Sequence, residues 1–186
     1  MDSNLQIISG QFRGRKLLLP PNARPTQNRA REALFNMLDS GIVDPVAEFM
    51  VWDAFAGSGA FGIECLSRYP LSKVLFTDVA WSSISTVRAN LGALAIGRRA
   101  EALHRDAIPA IQQFVDMVDL VFVDPPYAQA NLGYAFVKRF GRAVRKGVIL
   151  IWEQDLDKAS EPDTKKWKIL RDKTYGRARF LILQRI

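Results

Sequence analysis

The sequence predicts an α/β protein built on a mostly parallel sheet, with helices on both faces. From Phe49 onward, short apolar runs of strand length alternate with segments whose apolar residues recur at helical spacing. Short apolar strands that alternate with helices are typical of parallel sheets buried on both faces. A length of 186 residues and a hydrophobic content of 48% suit one domain with a substantial core.

An amino-terminal segment precedes this alternation. Residues 5–10 and 14–19 predict two short strands around a glycine-containing turn, which together form a β-hairpin. A helix is expected from about Asn28 to Ser40, where apolar residues recur at helical spacing. We therefore divide the chain into a basic hairpin and helix at residues 1–40 and an α/β domain at residues 41–186, within one compact unit.

The α/β part predicts five parallel strands, and a closing antiparallel pair completes a seven-stranded sheet. The five strands are expected at residues 49–52, 73–77, 102–104, 118–123 and 148–152. The helices that cover them are expected at residues 60–68, 82–94, 108–114 and 132–144. The closing pair is expected at residues 167–170 and 179–183, joined through Tyr175-Gly176.

The net charge of +7 is concentrated at the two ends of the chain. Residues 1–31 hold six basic residues and one acid, and residues 158–186 hold nine basic residues and three acids, whereas residues 32–157 are net −4. Basic ends favour binding to a polyanion, most simply a nucleic acid, over a merely solvated surface. The amino-terminal candidates for phosphate contact are Arg13, Arg15, Lys16, Arg24, Arg29 and Arg31.

Composition argues against several other classes of protein. No stretch approaches the roughly 20 apolar residues of a membrane span, and the first residues lack the apolar core of a signal peptide. The single cysteine, Cys65, excludes an internal disulfide and suits a reducing compartment. With one cysteine and one histidine, a structural zinc site is not expected. We therefore expect a cytoplasmic protein that holds no metal.

The tetrapeptide Asp124-Pro125-Pro126-Tyr127 follows the apolar run at residues 118–123. Prolines end a strand and stiffen the loop that follows it. A carboxylate and an aromatic ring are thereby held at the carboxyl end of a strand, where open α/β sheets bind ligands. Such a pair suits a flat heterocycle with an amino group, which would stack on Tyr127 and donate hydrogen bonds to Asp124 and the Pro125 carbonyl. The alternative is a simple turn.

A glycine-rich turn joins the first sheet strand to its helix. It contains the pattern G-x-G-x-x-G, which alone would also admit a dinucleotide dehydrogenase. Asp53, at the strand end, would repel a diphosphate but suits S-adenosylmethionine, which carries an ammonium, a sulfonium and no phosphate. Glycines here let the backbone approach the cofactor closely. The residues expected to bind it are Asp53, Phe55, Ala56, Gly57, Ser58 and Gly59.

Two further acids follow the second and third strands. Asp78 lies 19 residues after Gly59, about where an acid hydrogen-bonds ribose hydroxyls in such folds. Asp106 is placed to accept a hydrogen bond from an adenine amino group. Both residues also precede predicted helices, so the alternative for each is helix N-capping.

Taken together, these motifs resemble those of class I methyltransferases that act on an exocyclic amine. Along its whole length the chain resembles the bacterial small-subunit (16S) rRNA guanine-N2 methyltransferase family. The resemblance rests on residues 7–17, 24–26, 29–36, 53–59 and 124–127, together with Gly62 and Glu64. Members of that family often carry a second acid two residues past the ribose-binding one, and here that position is Ala80.

The resemblance implies a Rossmann-like class I methyltransferase fold and S-adenosylmethionine as the methyl donor. It implies that Asp124, Pro125, Pro126 and Tyr127 form the catalytic motif, and that the amino-terminal basic residues hold RNA phosphates. The implied partner is small-subunit ribosomal RNA, free or protein-bound, and we expect the enzyme to be a monomer. Two alternatives remain, an adenine-N6 nucleic-acid methyltransferase and a non-catalytic RNA-binding module.

Overall fold

The structure is a computed structural model and describes residues 5–21 and 28–186. In this part of the chain the helices are α1 (Asn28–Asp39), α2 (Ala60–Arg68), α3 (Trp81–Ala93), α4 (Ala107–Phe114) and α5 (Ala130–Ala143). The strands are β1 (Met50–Asp53), β2 (Lys73–Asp78), β3 (Ala100–His104), β4 (Leu120–Val123), β5 (Ile149–Asp155), β6 (Trp167–Tyr175) and β7 (Ala178–Arg185). Short 3₁₀ turns lie at Gly97–Arg99, Tyr127–Gln129 and Leu156–Lys158.

The strands form one seven-stranded sheet in the order β3-β2-β1-β4-β5-β7-β6. Neighbours from β3 to β5 are parallel, and β7 is antiparallel to both β5 and β6. The predicted fold class is therefore confirmed, including the closing antiparallel pair. Strand order reverses between β1 and β4, and open α/β sheets form a ligand-binding crevice at the carboxyl ends of the strands at such a switch point.

Two apolar clusters, one on each face of the sheet, explain why the strands read as continuous apolar runs. On one face Trp52 packs edge-on against Phe136 of α5 and Phe114 of α4, with ring centroids 5.2 and 5.4 Å away. On the other face Phe61 of α2 stacks on Phe122 of β4 at 4.1 Å. Because both faces are covered, the strands need no polar alternation.

Strand β5 is longer than the sequence predicted. Its apolar run ends at Trp152, but the strand continues to Asp155 because Glu153 and the next two residues pair with residues 178–180 of β7. Burial therefore extends to polar residues, and Glu153 is 7% exposed. This extension brings a carboxylate to the sheet edge beside the crevice.

The amino-terminal segment packs into the main core. Its two arms form one bridge, between Gln6 and Lys16, flanked by further backbone hydrogen bonds. Leu5, Ile7 and Leu17 are buried in the same cluster as α1, α2 and the sheet. None of the helices in residues 5–21 and 28–186 has the length and apolarity to cross a membrane.

Candidate functional site

Four carboxylates lie along one edge of the sheet. Asp53 and Asp78 are the last residues of β1 and β2, Asp124 directly follows β4, and Glu153 lies in β5. These strands are consecutive in the sheet, in the order β2-β1-β4-β5. Since parallel strands end at the same edge, the four acids line one rim of the crevice at the switch point.

The glycine turn is fixed by the neighbouring strand. The amide of Ala56 donates to the Thr77 carbonyl at 2.9 Å, and the amide of Gly57 donates to Oδ2 of Asp78 at 2.9 Å. The turn closes with a bond of 2.7 Å from the Gly59 amide to the Ala56 carbonyl. Asp78 therefore shapes the turn as well as facing the crevice.

The glycines of this turn have different surroundings. Gly57 has φ of +54°, and a Cβ there would meet nothing within 4 Å. Gly59 has φ of +78°, but a Cβ there would press on Val87 at 3.1 Å and on core atoms of α2 and β2 at 3.3 Å. A Cβ at Gly62 would lie 2.3 Å from the Phe76 ring. Only Gly57 therefore borders open space, whereas Gly59 and Gly62 let α2 and α3 approach the sheet.

Asp53 is desolvated beneath the turn. It is 1% exposed, and its Oδ2 accepts a hydrogen bond of 3.1 Å from the Gly62 amide. Burial raises the pKa of Asp53 to about 8, against the opposing effect of that hydrogen bond. A cation bound above the turn would favour the ionised carboxylate.

Asp124 and Tyr127 face Glu153. Asp124 retains some exposed surface as a residue, while its carboxyl group lies among protein atoms. Burial, then the charges of Glu153 and Asp53, raise the pKa of the Asp124 carboxyl well above its usual range. The Tyr127 hydroxyl donates to Oε1 of Glu153 at 3.3 Å. Burial likewise raises the pKa of Glu153 to about 7.

Asp106 makes the helix-capping contact that was the alternative to ligand binding, whereas Asp78 does not cap α3, whose N-cap residue is Ala80. Oδ1 of Asp78 accepts from the Ala80 amide at 2.8 Å, just before α3. Oδ1 of Asp106 accepts from the Ile108 amide at 2.9 Å in the first turn of α4. A carboxylate accepts about four hydrogen bonds, so these backbone contacts leave Asp78 and Asp106 able to bind a ligand.

The other residues of the predicted cofactor set lie in the same turn. Phe55 is half-buried and packs edge-on against Phe136 at 5.8 Å, and Ala56 is buried. The Ser58 carbonyl accepts from the Asn90 side chain at 3.1 Å. Asn90 also bonds the backbone of Leu18, so it ties the amino-terminal segment to the turn. Sequence reasoning missed Asn90, because its partners are distant in the chain.

The basic candidates of the amino-terminal segment separate into exposed and buried groups. Arg13, Lys16 and Arg29 are exposed, and the exposed Arg15 donates to the Ala93 carbonyl at 3.0 Å. Arg24 lies outside the described residues.

The prediction that Arg31 is free for phosphate is wrong. It is 3% exposed, donates to the Gln6 carbonyl, and lies 3.8 Å from Oε2 of the buried Glu64.

The arrangement offers carboxylates without a metal-binding geometry. Within residues 5–21 and 28–186, no cluster of three histidine, cysteine or acidic side chains has the geometry to hold a metal ion. The acids instead suit cationic ligands and N–H donors.

The fold and this site define the class of protein. The strand order, the glycine turn at β1 and the acid-proline-proline-aromatic loop after β4 are those of a class I methyltransferase. A solved precorrin-6y C5,15-methyltransferase from Geobacter metallireducens has the same fold, with a TM-score of 0.64 at 13% identity over 91% of this chain and 94% of its own. The solved structure of yhhF from Escherichia coli has a TM-score of 0.80 at 31% identity, and the match covers 97% of each chain.

The family follows from the sequence comparisons. Residues 5–184 match the model of a family described as Conserved hypothetical protein 95. Ribosomal RNA small subunit methyltransferase D of Escherichia coli is 34% identical over 97% of this chain and 90% of its own length. Its namesake in Haemophilus influenzae is 30% identical over 97% of this chain and 93% of its own. The chain belongs to the family of these ribosomal RNA small subunit methyltransferases. The resemblance that its motifs indicated is therefore confirmed.

Proposed function

We propose that this protein transfers a methyl group from S-adenosylmethionine to the exocyclic N2 amine of a guanine in small-subunit ribosomal RNA. The observation that supports it most is the position of Asp124. Its desolvated carboxyl follows β4 directly, with two prolines and Tyr127 behind it and Asp53 of the glycine turn beside it. The names of the relatives, which are small-subunit rRNA methyltransferases, support the substrate class.

The residues fit the cofactor by charge and by space. The Asp53 carboxylate complements its cationic groups, Asp78 is assigned to its ribose hydroxyls, and the open space over Gly57 admits a ligand against the backbone. Asp106 remains available to an adenine amine. The bound cofactor supplies an activated methyl group on a sulfonium, which is a good leaving group.

The protein must then activate the exocyclic guanine amine, which is a poor nucleophile. The lone pair of an exocyclic guanine amine is delocalised into the ring. Hydrogen bonds from that amine to Asp124 and the Pro125 carbonyl favour pyramidal nitrogen, with its lone pair directed at the methyl carbon. The C–N bond forms as the C–S bond breaks, and positive charge develops on nitrogen beside Asp124. The Asp124 carboxyl is favoured in its ionised form beside a bound sulfonium cation, and it can then accept the proton that nitrogen loses.

Mass spectrometry of nucleosides tests the proposed function. Small-subunit RNA and 30S particles from a strain lacking the enzyme would be incubated with the protein and S-adenosylmethionine. We expect N2-methylguanosine from one of the two substrates. N6-methyladenosine would support the adenine-specific alternative, and RNA binding without cofactor binding would support a non-catalytic module.

The cofactor assignment predicts a selective effect at Gly57. Gly57→Val should abolish stabilisation by S-adenosylmethionine in a thermal shift assay, because the side chain fills the open space over the turn. Gly41→Val is the matched control, since Gly41 also has positive φ, +96°, and open surroundings away from the site. The wild type should respond to S-adenosylmethionine and not to NAD. Stabilisation by NAD alone would overturn the assignment.

We further propose that the amino-terminal segment docks RNA phosphates. Its bases Arg13, Lys16 and Arg29 are exposed. In the carboxyl-terminal segment, Arg179 is paired with Asp172 at 2.7 Å and with Glu161 at 2.6 Å, but several lysines there are exposed. Exposed cations release counterions when they contact phosphates, so the amino-terminal segment should contribute to the electrostatic part of binding. A cytoplasmic monomer acting on naked or protein-bound RNA is the form we propose.

The RNA-docking proposal predicts a change in salt dependence. Deleting the segment would remove the buried Leu5, Ile7 and Leu17, so charge substitution is the sharper test. Replacing Arg13, Lys16 and Arg29 by Gln should lower the slope of log K against log salt by about 2–3, roughly one per lost phosphate contact. Cofactor affinity should not change.

The matched control replaces three exposed carboxyl-terminal lysines by Gln: Lys165, Lys168 and Lys173. If only this control lowers the slope, the docking surface lies in the carboxyl-terminal segment instead.

A further inference from the structure

We infer that Glu153 reads the N1–H of the target guanine, next to the exocyclic amine bound by Asp124. Glu153 would thereby select guanine against purines that present an acceptor at N1. This inference rests on the proposed function, guanine-N2 methylation, and gives the site a second base-reading residue on β5.

The sheet places Glu153 beside Asp124. Strands β4 and β5 are parallel, and their register pairs Val123 with Trp152. The residues that follow Val123 and Trp152 are Asp124 and Glu153, respectively. Residues in register on parallel strands project to the same face, with backbones about 4.8 Å apart. The two carboxylates are therefore neighbours, and the charge of Glu153 raises the pKa of Asp124 after burial itself.

Glu153 is oriented towards the loop that carries the target-binding motif. Its Oε1 accepts a hydrogen bond of 3.3 Å from the Tyr127 hydroxyl. Glu153 is 7% exposed. A carboxylate accepts about four hydrogen bonds, so this contact leaves capacity for a ligand. Pro125, Tyr127 and Glu153 also line one small cavity between the tetrapeptide and β5. The carboxylate is thus held within reach of a base stacked on Tyr127.

Guanine presents the hydrogen-bonding pattern that two adjacent carboxylates require. Its N1–H and its N2 amine are neighbouring donors in the plane of the base. Adenine and 2-aminopurine instead carry an unprotonated N1. In both bases this hydrogen-bond acceptor lies next to the exocyclic amine. An ionised carboxylate facing that acceptor gains no hydrogen bond and leaves two electron-rich groups in contact in a desolvated site. This ionised form prevails above the pKa of Glu153, about 7, so the discrimination is expected at alkaline pH. Sites built to bind an N–H strongly reject an analogue that lacks it.

A single base analogue separates this role from the others in the site. 2-Aminopurine keeps the N2 amine that Asp124 would bind but has an acceptor at N1. The target guanine, once located by mass spectrometry, would be replaced by 2-aminopurine in the same RNA, and kcat/KM would be measured for both. The wild type should prefer guanine by at least about 100-fold.

Glu153→Gln should change the preference, and not only the rate. The Gln amide can donate to the N1 of 2-aminopurine, so the preference for guanine should fall to within about tenfold. Glu153→Ala should lose activity on guanine without gaining it on 2-aminopurine. Glu101→Gln, at an exposed acid of β3, is the matched control and should keep the wild-type preference. Cofactor affinity should be unchanged in all three variants.

Two results would overturn the role of Glu153. One is wild-type enzyme that methylates 2-aminopurine as well as guanine, a measurement that needs no variant to fold. The other is a Glu153→Gln enzyme that keeps the full preference for guanine. If the wild type methylates no guanine in either RNA or particles, the proposed function itself fails, and the Glu153 assignment with it.

Discussion

Asp124→Ala is expected to lower the single-turnover rate of methyl transfer by about 10²–10³-fold, the range found for loss of one preorganised electrostatic contact. The contact strengthens as positive charge develops on the amine, so the loss falls on the transition state. RNA affinity should remain close to that of the wild type, because phosphate contacts lie on other elements. Single-turnover methylation of small-subunit RNA from a strain lacking the enzyme measures the rate.

Two comparisons isolate the charge of Asp124. Asp124→Asn keeps an acceptor oxygen but removes the negative charge, so its rate should fall between those of the wild type and Asp124→Ala. Asp116→Ala removes an exposed acid that precedes the same strand, and it should leave the rate unchanged. Near wild-type turnover by Asp124→Ala would mean that residues 124–127 form only a turn.

The parts of the site that could be predicted from sequence are those whose signal is local. An apolar run that ends in Asp124, two prolines and an aromatic residue fixes a strand end and its loop within ten residues. The glycine turn after β1 is equally local. Since parallel strands share an edge, the sequence alone predicts that these two motifs meet.

The features that could not be predicted from the sequence depend on contacts between distant segments, and the burial of Arg31 is one of them. Helical spacing places Arg31 one turn before Leu34 and Phe35, both buried, so it lies on the inner face of α1. The arginine is compensated there by the Gln6 carbonyl and by the charge of Glu64, 33 residues later. Burial lowers the pKa of the Arg31 guanidinium, and the charge of Glu64 opposes that fall. No local pattern reveals such a partner.

The roles of Gly59 and Glu153 also depend on contacts with neighbouring elements. Gly59 carries a ligand-binding pattern, yet the side chain of Val87 on α3 occupies the space that its Cβ would enter. Glu153 lies one residue beyond the strand predicted at residues 148–152, yet pairing with Phe180 of β7 keeps it in the strand. In both cases a neighbouring element, and not the local sequence, sets the role.

Glu64→Ala is expected to lower the free energy of unfolding by about 3–5 kcal/mol, the range for breaking a buried ion pair by removing one partner. Glu64 is 0% exposed. Its carboxylate accepts from the amides of Ile8 at 2.8 Å and Ser9 at 2.9 Å, and from Nε of Arg68 at 2.8 Å. The substitution leaves the buried Arg31 without its counter-charge and two amides without their acceptor. Urea unfolding gives the free energy directly.

The origin of that loss can be separated by a second substitution. Replacing Arg31 and Glu64 together by Met and Leu removes the buried charge from both sides, so stability should partly recover relative to Glu64→Ala. Recovery should be incomplete, because the Ile8 and Ser9 amides still lack their acceptor. Glu48→Ala, at an exposed acid, is the matched control and should change stability by less than about 0.5 kcal/mol. A loss below about 1 kcal/mol for Glu64→Ala would show that this carboxylate does not hold the amino-terminal segment to α2. The bases that we propose to dock RNA would then need another anchor.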